Sequence, residues 1–536
     1  MIHALKLYPE TYVDSIVQLS GTRALFAVDG VDWASAAMAT PANVETLRGE
    51  GFDDPALTTG GANDLVIAVR AVSHEVADAA REAGEKAIFA APAGSGAVGQ
   101  LPARTLDEAL RRQPATSVAI VSVPGDYAAL EAHKALSAGL HVLLFSDNVS
   151  VEDELVLKDR ARDLGLLVMG PGAGTAMLGQ TCLGFANVVR PGRVAVVAAA
   201  GTGAQEAAAL LDRWGVGVAH VIGLGGRDLS ARVGGRMAIA AVRALVADEA
   251  TDAILLVSKP PDAEVAREVV AAATGKPLVA ALIGVQDDVK APPDVTVTRT
   301  LEAGAVSAVR LMGGREPDVS HGLAEKVRAA AADLPGRRTL VRGLFSGGTL
   351  CYESLVVLAD VLGDVYSNTP LRPELGLPAP EQAHTCLDLG EEEYTKGRPH
   401  PMIDPQARIE LLREQGADPT VAAIVLDVVL GHGAHPDPAA ELAPVCAEII
   451  AAGGPCIVVY VLGTDQDPQG LDRQREAFRR AGCLVTETAA RASLAAAALA
   501  RREPALAEKA PMSELASESL SRRLGEASAE RGEGVR

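Results

Sequence analysis

Short apolar runs bounded by glycine or proline recur along the chain, with stretches of helical apolar spacing between them. In the first 75 residues, Ala24–Val28, Ala34–Ala39 and Asp64–Val69 predict strands and Asn43–Gly49 a helix, a small α+β arrangement. From Thr105 the rhythm becomes strand then helix: strands over 117–123, 141–145 and 166–169, helices over 128–138 and 151–164. Strands that are apolar throughout belong to parallel sheets covered on both faces, so this is a Rossmann-like series.

A third stretch opens after Pro191-Gly192, with strands at 193–198, 218–222, 253–257 and 277–283 and helices at 204–214 and 237–247. The alanine-rich helix 322–333 and its Pro335-Gly336 stop precede a fourth. Its strands are expected at 339–343, 422–428 and 456–462, and its helices at 350–362, 405–415 and 438–451. Residues 363–400 follow neither period and are expected as an ordered excursion over a site. Beyond Ala500 the polar, aromatic-free sequence predicts a disordered tail. The expected architecture is α/β, with units at 1–99, 100–190, 191–335 and 336–500 and a tail at 501–536.

The 536 residues carry 49 basic and 69 acidic side chains, a formal charge of −20, which argues against a broad nucleic-acid surface. Aromatics make up only 3 % against 48 % apolar residues, so alanine, valine and leucine must fill the core. No unbroken apolar stretch reaches membrane-spanning length and Met1–Glu10 lacks a secretory pattern, so a cytoplasmic location is expected. The six cysteines are dispersed, as for buried reduced thiols rather than a disulfide framework or zinc cage.

An internal repeat points to chemistry. Gly201-Thr202 with Glu206, and Gly348-Thr349 with Glu353, each follow an apolar strand and open an apolar helix. Such helix starts leave backbone N–H groups that favour a phosphate or carboxylate, and two equivalent ones can aim at a single anion. Gly201, Thr202, Gly203, Ser346, Gly347, Gly348 and Thr349 are therefore the candidate phosphate-binding residues. Gly225-Gly226-Arg227 offers a second donor-rich loop, with Arg227 suited to a bidentate carboxylate or phosphate contact or to a surface ion pair. Neither a P-loop nor a dinucleotide fingerprint is present in its proper context, which weakens ATP and NAD. Asp427, His432, His435 and Asp437 gather near one predicted strand end, where a metal, a polar site loop and an ordinary turn all remain open and the spacing favours no metal.

At these residues the chain resembles a known superfamily. Gly170-Pro171 to Thr175, Pro191-Gly192, Gly201-Thr202 with Glu206, and Gly223 to Gly226 are similar to the α subunit of succinyl-CoA synthetase over roughly 100–285. Residues of about 338–500, with Ser346 to Thr349, resemble the carboxy-terminal domain of its β subunit. Ser146 to Val149, Gly223 to Ser230, Ser258 to Pro261 and Gly397 to Pro405 resemble the FdrA proteins specifically. The resemblance implies a Rossmann-like CoA-binding-type domain, two flavodoxin-like domains and a small amino-terminal unit. The stretch from Gly284 to Arg338 is too short for the synthetase's ATP-grasp domain. Gly284 to Asp288 stands where the synthetase has its phosphorylated histidine, and Ser258-Lys259 where it has the supporting glutamate.

What the resemblance implies is a subunit of a phosphate-dependent carbamoyltransferase. It would exchange N-carbamoyl-oxamate plus phosphate with oxamate plus carbamoyl phosphate, as in allantoin catabolism, with companion subunits in a hetero-oligomer. Phosphate or an acyl phosphate is then substrate, no cofactor is certain, and CoA stays open as a ligand. Arg227, Lys259 and Arg398 are candidates to neutralise the carboxylate, and His400 to bond the transferred group or move a proton, or else to cap a turn. Asp404 reads as a helix cap. An acyl-CoA ligase with its nucleotide site on a partner, and a non-catalytic assembly scaffold, are the alternatives.

Overall fold

The computed structural model describes residues 1–509 except 12, 14, 62, 90–102, 286–290, 333 and 396–398; Arg398, Gln286 to Asp288 and residues 510–536 thus lie outside it. The described chain forms two compact units, residues 1–103 with 392–399, and residues 104–391 with those from His400 onward.

In the first unit, strand Leu65–Ala71 runs antiparallel between Ile2–Tyr8 and Val31–Met38. Its alternate residues serve two cores: Ile67 and Val69 pack with Leu25, Ala77 and Ile88, while Val66 and Ala68 pack with Val44, Leu47 and Phe52. The strand expected at Ala24–Val28 is instead the end of helix Ser15–Phe26. A five-residue apolar run has no period to separate strand from helix. Helix His74–Phe89 decides it, since a methyl group on its Gly84 would lie 2.6 Å from Leu25 Cδ2.

The second unit begins with a parallel three-stranded sheet, Val118–Val121, His141–Leu144 and Val168–Met169 in that order, with helices Gly125–Ser137 and Val151–Asp163 as crossovers. A seven-stranded sheet follows, in the order Val295–Thr298, Leu278–Leu282, Ala253–Ser258, Pro191–Ala198, Val218–Gly223, Thr175–Leu178, Thr181–Gly184. Its first five strands are parallel, and the hairpin 175–184 closes the far edge antiparallel, with Met177 opposite Val221. The hairpin falls inside the stretch expected to end at residue 190, yet it hydrogen-bonds to the sheet beyond that boundary.

A six-stranded, wholly parallel sheet has the order Val365–Tyr366, His384–Asp388, Leu340–Phe345, Val421–Val429, Cys456–Leu462, Leu484–Thr486. Two of these strands, of two and five residues, come from 363–400, so that segment adds to the sheet between its loops. Prolines on either side and a length of two to five residues hid them. Order also persists past Ala500: helix Ala489–Arg501 leads to a 3-10 turn, Pro504–Glu508, that buries Leu506 and Ala507.

The two large sheets share one alanine- and valine-rich core through helices Gly201–Arg213, Leu301–Leu311, Gly348–Leu362 and Ala489–Arg501. Glu206 and Glu353, equivalent residues of the repeat, are both fully buried there. The Tyr460 hydroxyl donates to Glu206 at 2.5 Å, and the Leu301 amide to Glu353 at 2.6 Å, each across to the other repeat. Burial pushes Glu206 up to about 7, against the Tyr460 bond and Arg213. Burial and then Glu206 push Glu353 up to about 8.

The folded state therefore keeps protons that the unfolded chain releases, and stability falls as pH rises from the ordinary glutamate range near 4.5 to about 8. The loss is on the order of 1.4 kcal/mol per carboxyl and pH unit. Urea unfolding between pH 5 and 8 should show this decline, and Glu353→Gln should flatten it; a flat wild-type profile contradicts the assignment.

Candidate functional site

Helix Gly201–Arg213 starts beyond the end of strand Pro191–Ala198, and helix Gly348–Leu362 beyond the end of Leu340–Phe345. Each strand has a neighbour on either side reached by a separate crossover: 218–223 and 253–258 for the first, 384–388 and 421–429 for the second. This reversal of strand order is where open α/β sheets leave a crevice for ligands. The flanking helices Leu301–Leu311 and Ala489–Arg501 are capped by Thr300 and Thr488. Helices 201–213 and 348–362 instead begin at Ala200 and Gly347, with no side chain capping either.

The two helix starts meet. The Thr349 amide donates to Thr202 Oγ1 at 3.3 Å, a contact between residues one repeat length, 147 positions, apart. Fit is close on both sides, since a methyl group on Gly347 would lie 2.8 Å from Thr202 Cγ2 and one on Gly203 2.8 Å from Thr349 Cγ2. A methyl on Gly348 would lie 2.3 Å from Asp388 Oδ2 and 3.2 Å from Lys259 Nζ. One on Gly390 would lie 2.8 Å from His400 Nε2, 3.2 Å from Asp388 Oδ1 and 3.3 Å from the Ser346 carbonyl oxygen. Gly201, Thr202, Gly203, Gly347, Gly348, Thr349, Lys259 and His400 are thereby brought to one place.

Two carboxylates shape this place: Asp427, one of the four candidates near a strand end, and Asp388, missed in the sequence. Asp427, on strand Val421–Val429, accepts from the Ser346 and Gly347 amides at 2.8 Å each and from the Ser346 hydroxyl at 3.1 Å. Arg408 Nη2, 3.2 Å away, balances its buried charge. Ser346 and Gly347 therefore spend their amides inside the protein, and the Thr349 amide goes to Thr202, which leaves the Gly348 amide without a described partner at this helix start. Asp388 ends strand His384–Asp388 and is only 2 % exposed. Its Oδ1 accepts from the Gly390 amide at 3.0 Å. Burial pushes Asp388 up to about 6, with Glu391 and Asp427 adding to the rise and Lys259 opposing it. Burial and then Arg408 push His400 down to about 4, so its imidazole is neutral at neutral pH.

The Gly225-Gly226-Arg227 loop leaves strand 218–223 at the same sheet edge as the Gly201 helix start, the Leu224 amide donating to the Ala198 carbonyl at 2.8 Å. Gly225, at φ +81°, packs on the Gly170-Pro171 turn, where a methyl would lie 2.4 Å from the Pro171 carbonyl oxygen. Arg227 donates to Glu154 at 2.9 Å and to the Val149 carbonyl at 2.8 Å, beside a buried Lys158 held by Glu154, Asp228 and the Leu224 carbonyl. That network ties the loop to helix 151–163, and its Asp228 also accepts from the Ala238 amide of helix Arg236–Ala247.

His435 is held between Glu441 and the Asp437 amide, Asp437 pairs with Arg473, and the Asp404 carboxylate accepts from the Gln406 amide at the start of helix Gln406–Ala417. Among the described residues no group of three or more His, Cys, Asp or Glu side chains is placed to hold a metal, and no helix is long and apolar enough to cross a membrane.

A family model described as CoA-ligase matches residues 344–499, the stretch holding the second helix start, Asp388, His400 and Asp427. Another, described as an AllF heavy metal-associated domain, matches residues 1–102. That stretch contains no cysteine, and its described residues supply no ligand cluster, so they do not fit a metal. The protein YahF of Escherichia coli (strain K12) is 39 % identical over 503 residues, covering 91 % of this chain and 96 % of YahF. The α subunit 2 of the ADP-forming succinate–CoA ligase of Archaeoglobus fulgidus is 30 % identical over 208 residues, 38 % of this chain and 68 % of that one. The structure of ATP citrate lyase from Methanothrix soehngenii, in complex with citrate and coenzyme A, aligns at 20 % identity and a TM-score of 0.30 over 40 % of this chain; the alignment spans 38 % of the lyase chain. The chain belongs to the family of YahF, within the succinyl-CoA synthetase-like superfamily.

Proposed function

We propose that this chain is the phosphate-binding subunit of a carbamoyl or related acyl transferase of the FdrA type. It would exchange N-carbamoyl-oxamate plus phosphate with oxamate plus carbamoyl phosphate. The observation that carries this reading is the meeting of two equivalent, uncapped helix starts at Thr202 and Thr349, with Lys259 beside Gly348. Their amides and the lysine present positive charge to an oxyanion in a partly buried setting, the arrangement that stabilises charge developing during acyl transfer. A phosphate held there attacks the carbamoyl carbon, and positioning supplies much of the rate. The match of residues 1–102 to the AllF domain supports placing the chain in allantoin catabolism with companion proteins.

The second reading, acyl-CoA ligation with a nucleotide site on a partner, is favoured by the CoA-ligase model over 344–499 and the similarity to succinate–CoA ligase. Local geometry weighs against the CoA unit expected near residue 105. A methyl on Gly125 would lie 2.5 Å from the Asp147 carbonyl oxygen and 2.6 Å from that of Asn148, acceptors where a pyrophosphate needs donors.

The chain purified with its companion proteins should form carbamoyl phosphate from N-carbamoyl-oxamate and phosphate without ATP or CoA. Dependence on either nucleotide or CoA would select the ligase reading. Full activity of the companions alone would leave this chain as a scaffold.

A further inference from the structure

Asp388 and His400 stand side by side at the mouth of the second helix start, and both have an atom to spare. Asp388 Oδ1 takes the Gly390 amide, while Oδ2 faces Gly348 and accepts no hydrogen bond from any described residue. His400 Nδ1 accepts from the Met402 amide at 3.2 Å, which places the proton of the neutral ring on Nε2. That Nε2 shares the space beside Gly390 with Asp388 Oδ1 and has no described partner. One group is thus a carboxylate with a free oxygen, and the other a neutral N–H donor with nothing to donate to.

Resting on the phosphate-dependent transfer proposed above, we infer that Asp388 is the proton carrier of that reaction and that His400 Nε2–H binds the carbonyl oxygen of the group transferred. In the phosphorolytic direction, an oxygen of the bound hydrogen phosphate attacks the carbamoyl carbon and gives its proton to Asp388 Oδ2. Negative charge on the carbonyl oxygen is met by His400 Nε2–H. As the carbon–nitrogen bond breaks, Asp388 returns the proton to the departing amide nitrogen. One proton passes from phosphate to nitrogen, Asp388 ends as it began, and no further reactant is required.

The surroundings suit both roles. Asp388 is faced by Lys259 from the loop after strand 253–258, Glu391 from its own turn, Asp427 from strand 421–429 beyond the intervening strand 340–345, and the Cys351 thiol from helix 348–362. Net burial raises it to about 6, nearer the working pH than an ordinary carboxyl, as suits a group that must both take and give a proton. His400 is faced by Arg408 from helix 406–417, and is held neutral. A neutral imidazole donates to an oxyanion without surrendering a full proton.

The test uses the full chain with its companion proteins and two readouts, turnover and inorganic phosphate affinity of the chain at pH 7.5. Asp388→Asn is expected to lose turnover by about 100- to 10,000-fold while binding phosphate several-fold more tightly, because a negative charge facing the anion is gone. Asp388→Glu should restore part of the turnover. Wild-type turnover should fall as pH drops towards 6. His400→Ala should lose about 100-fold or more, with His400→Gln, which keeps an N–H, losing less. Wild-type-like turnover of Asp388→Asn would overturn the inference and leave the transfer reading standing. If wild type forms no carbamoyl phosphate, the transfer reading falls, and phosphate affinity decides the rest: tightening in Asp388→Asn keeps Asp388 against the anion, and no change removes it.

Discussion

Replacing Gly348 with alanine is expected to lower phosphate-dependent turnover by about 100-fold or more while the protein stays folded. Gly348 opens a helix, where alanine is favoured over glycine, so the backbone gains from the change. The obstacle is local: the new methyl would sit 2.3 Å from Asp388 Oδ2 and 3.2 Å from Lys259 Nζ. Both side chains must move out of the space beside the helix start, and both are assigned to the reacting groups. Steady-state kinetics beside a thermal melt separates the effects. Unchanged kinetics would remove the Gly348 loop from the mechanism, and a melt lowered by tens of degrees would make the glycine structural.

The largest effect on stability is expected at Asp427. Its carboxylate is fully buried, holds the amides of Ser346 and Gly347 and lies 3.2 Å from Arg408, itself 2 % exposed. Asp427→Ala removes the acceptor of two buried amides and leaves an arginine without its counter-charge. Loss of one partner of a buried pair costs about 3–5 kcal/mol. Urea unfolding of the full chain measures it, and a loss under about 1 kcal/mol would mean that water replaces the carboxylate, as at an exposed ion pair.

The periods of the apolar positions reach far into this fold. Strands at 218–222, 253–257 and 456–462 and the helix at 438–451 lie within a residue or two of their structural bounds, because uninterrupted valine-, isoleucine- and leucine-rich strands and long amphipathic helices carry their own signal. The repeat of Gly-Thr and Glu also carried spatial information, since Thr202 and Thr349 touch.

Asp388 was hidden for the same reason as its strand: five residues between prolines have no period to read. One signal was present. Leu387-Asp388-Leu389-Gly390 sets an acid in an apolar run ahead of a glycine, as Leu426-Asp427-Val428-Val429 sets one at the end of the central strand. An acid at the carboxyl end of a strand beside the switch point marks a site in folds of this kind. Arg227 is paired with Glu154, because its fork, which suits a free carboxylate, equally suits that side chain.

A crystal structure of the full chain grown at saturating phosphate addresses the central claim most directly. One phosphate per chain is expected between Thr202 and Thr349, touching amides of both helix starts and Lys259 Nζ. Phosphate bound at one helix start alone, or only at sites remote from residues 201 and 348, would contradict it.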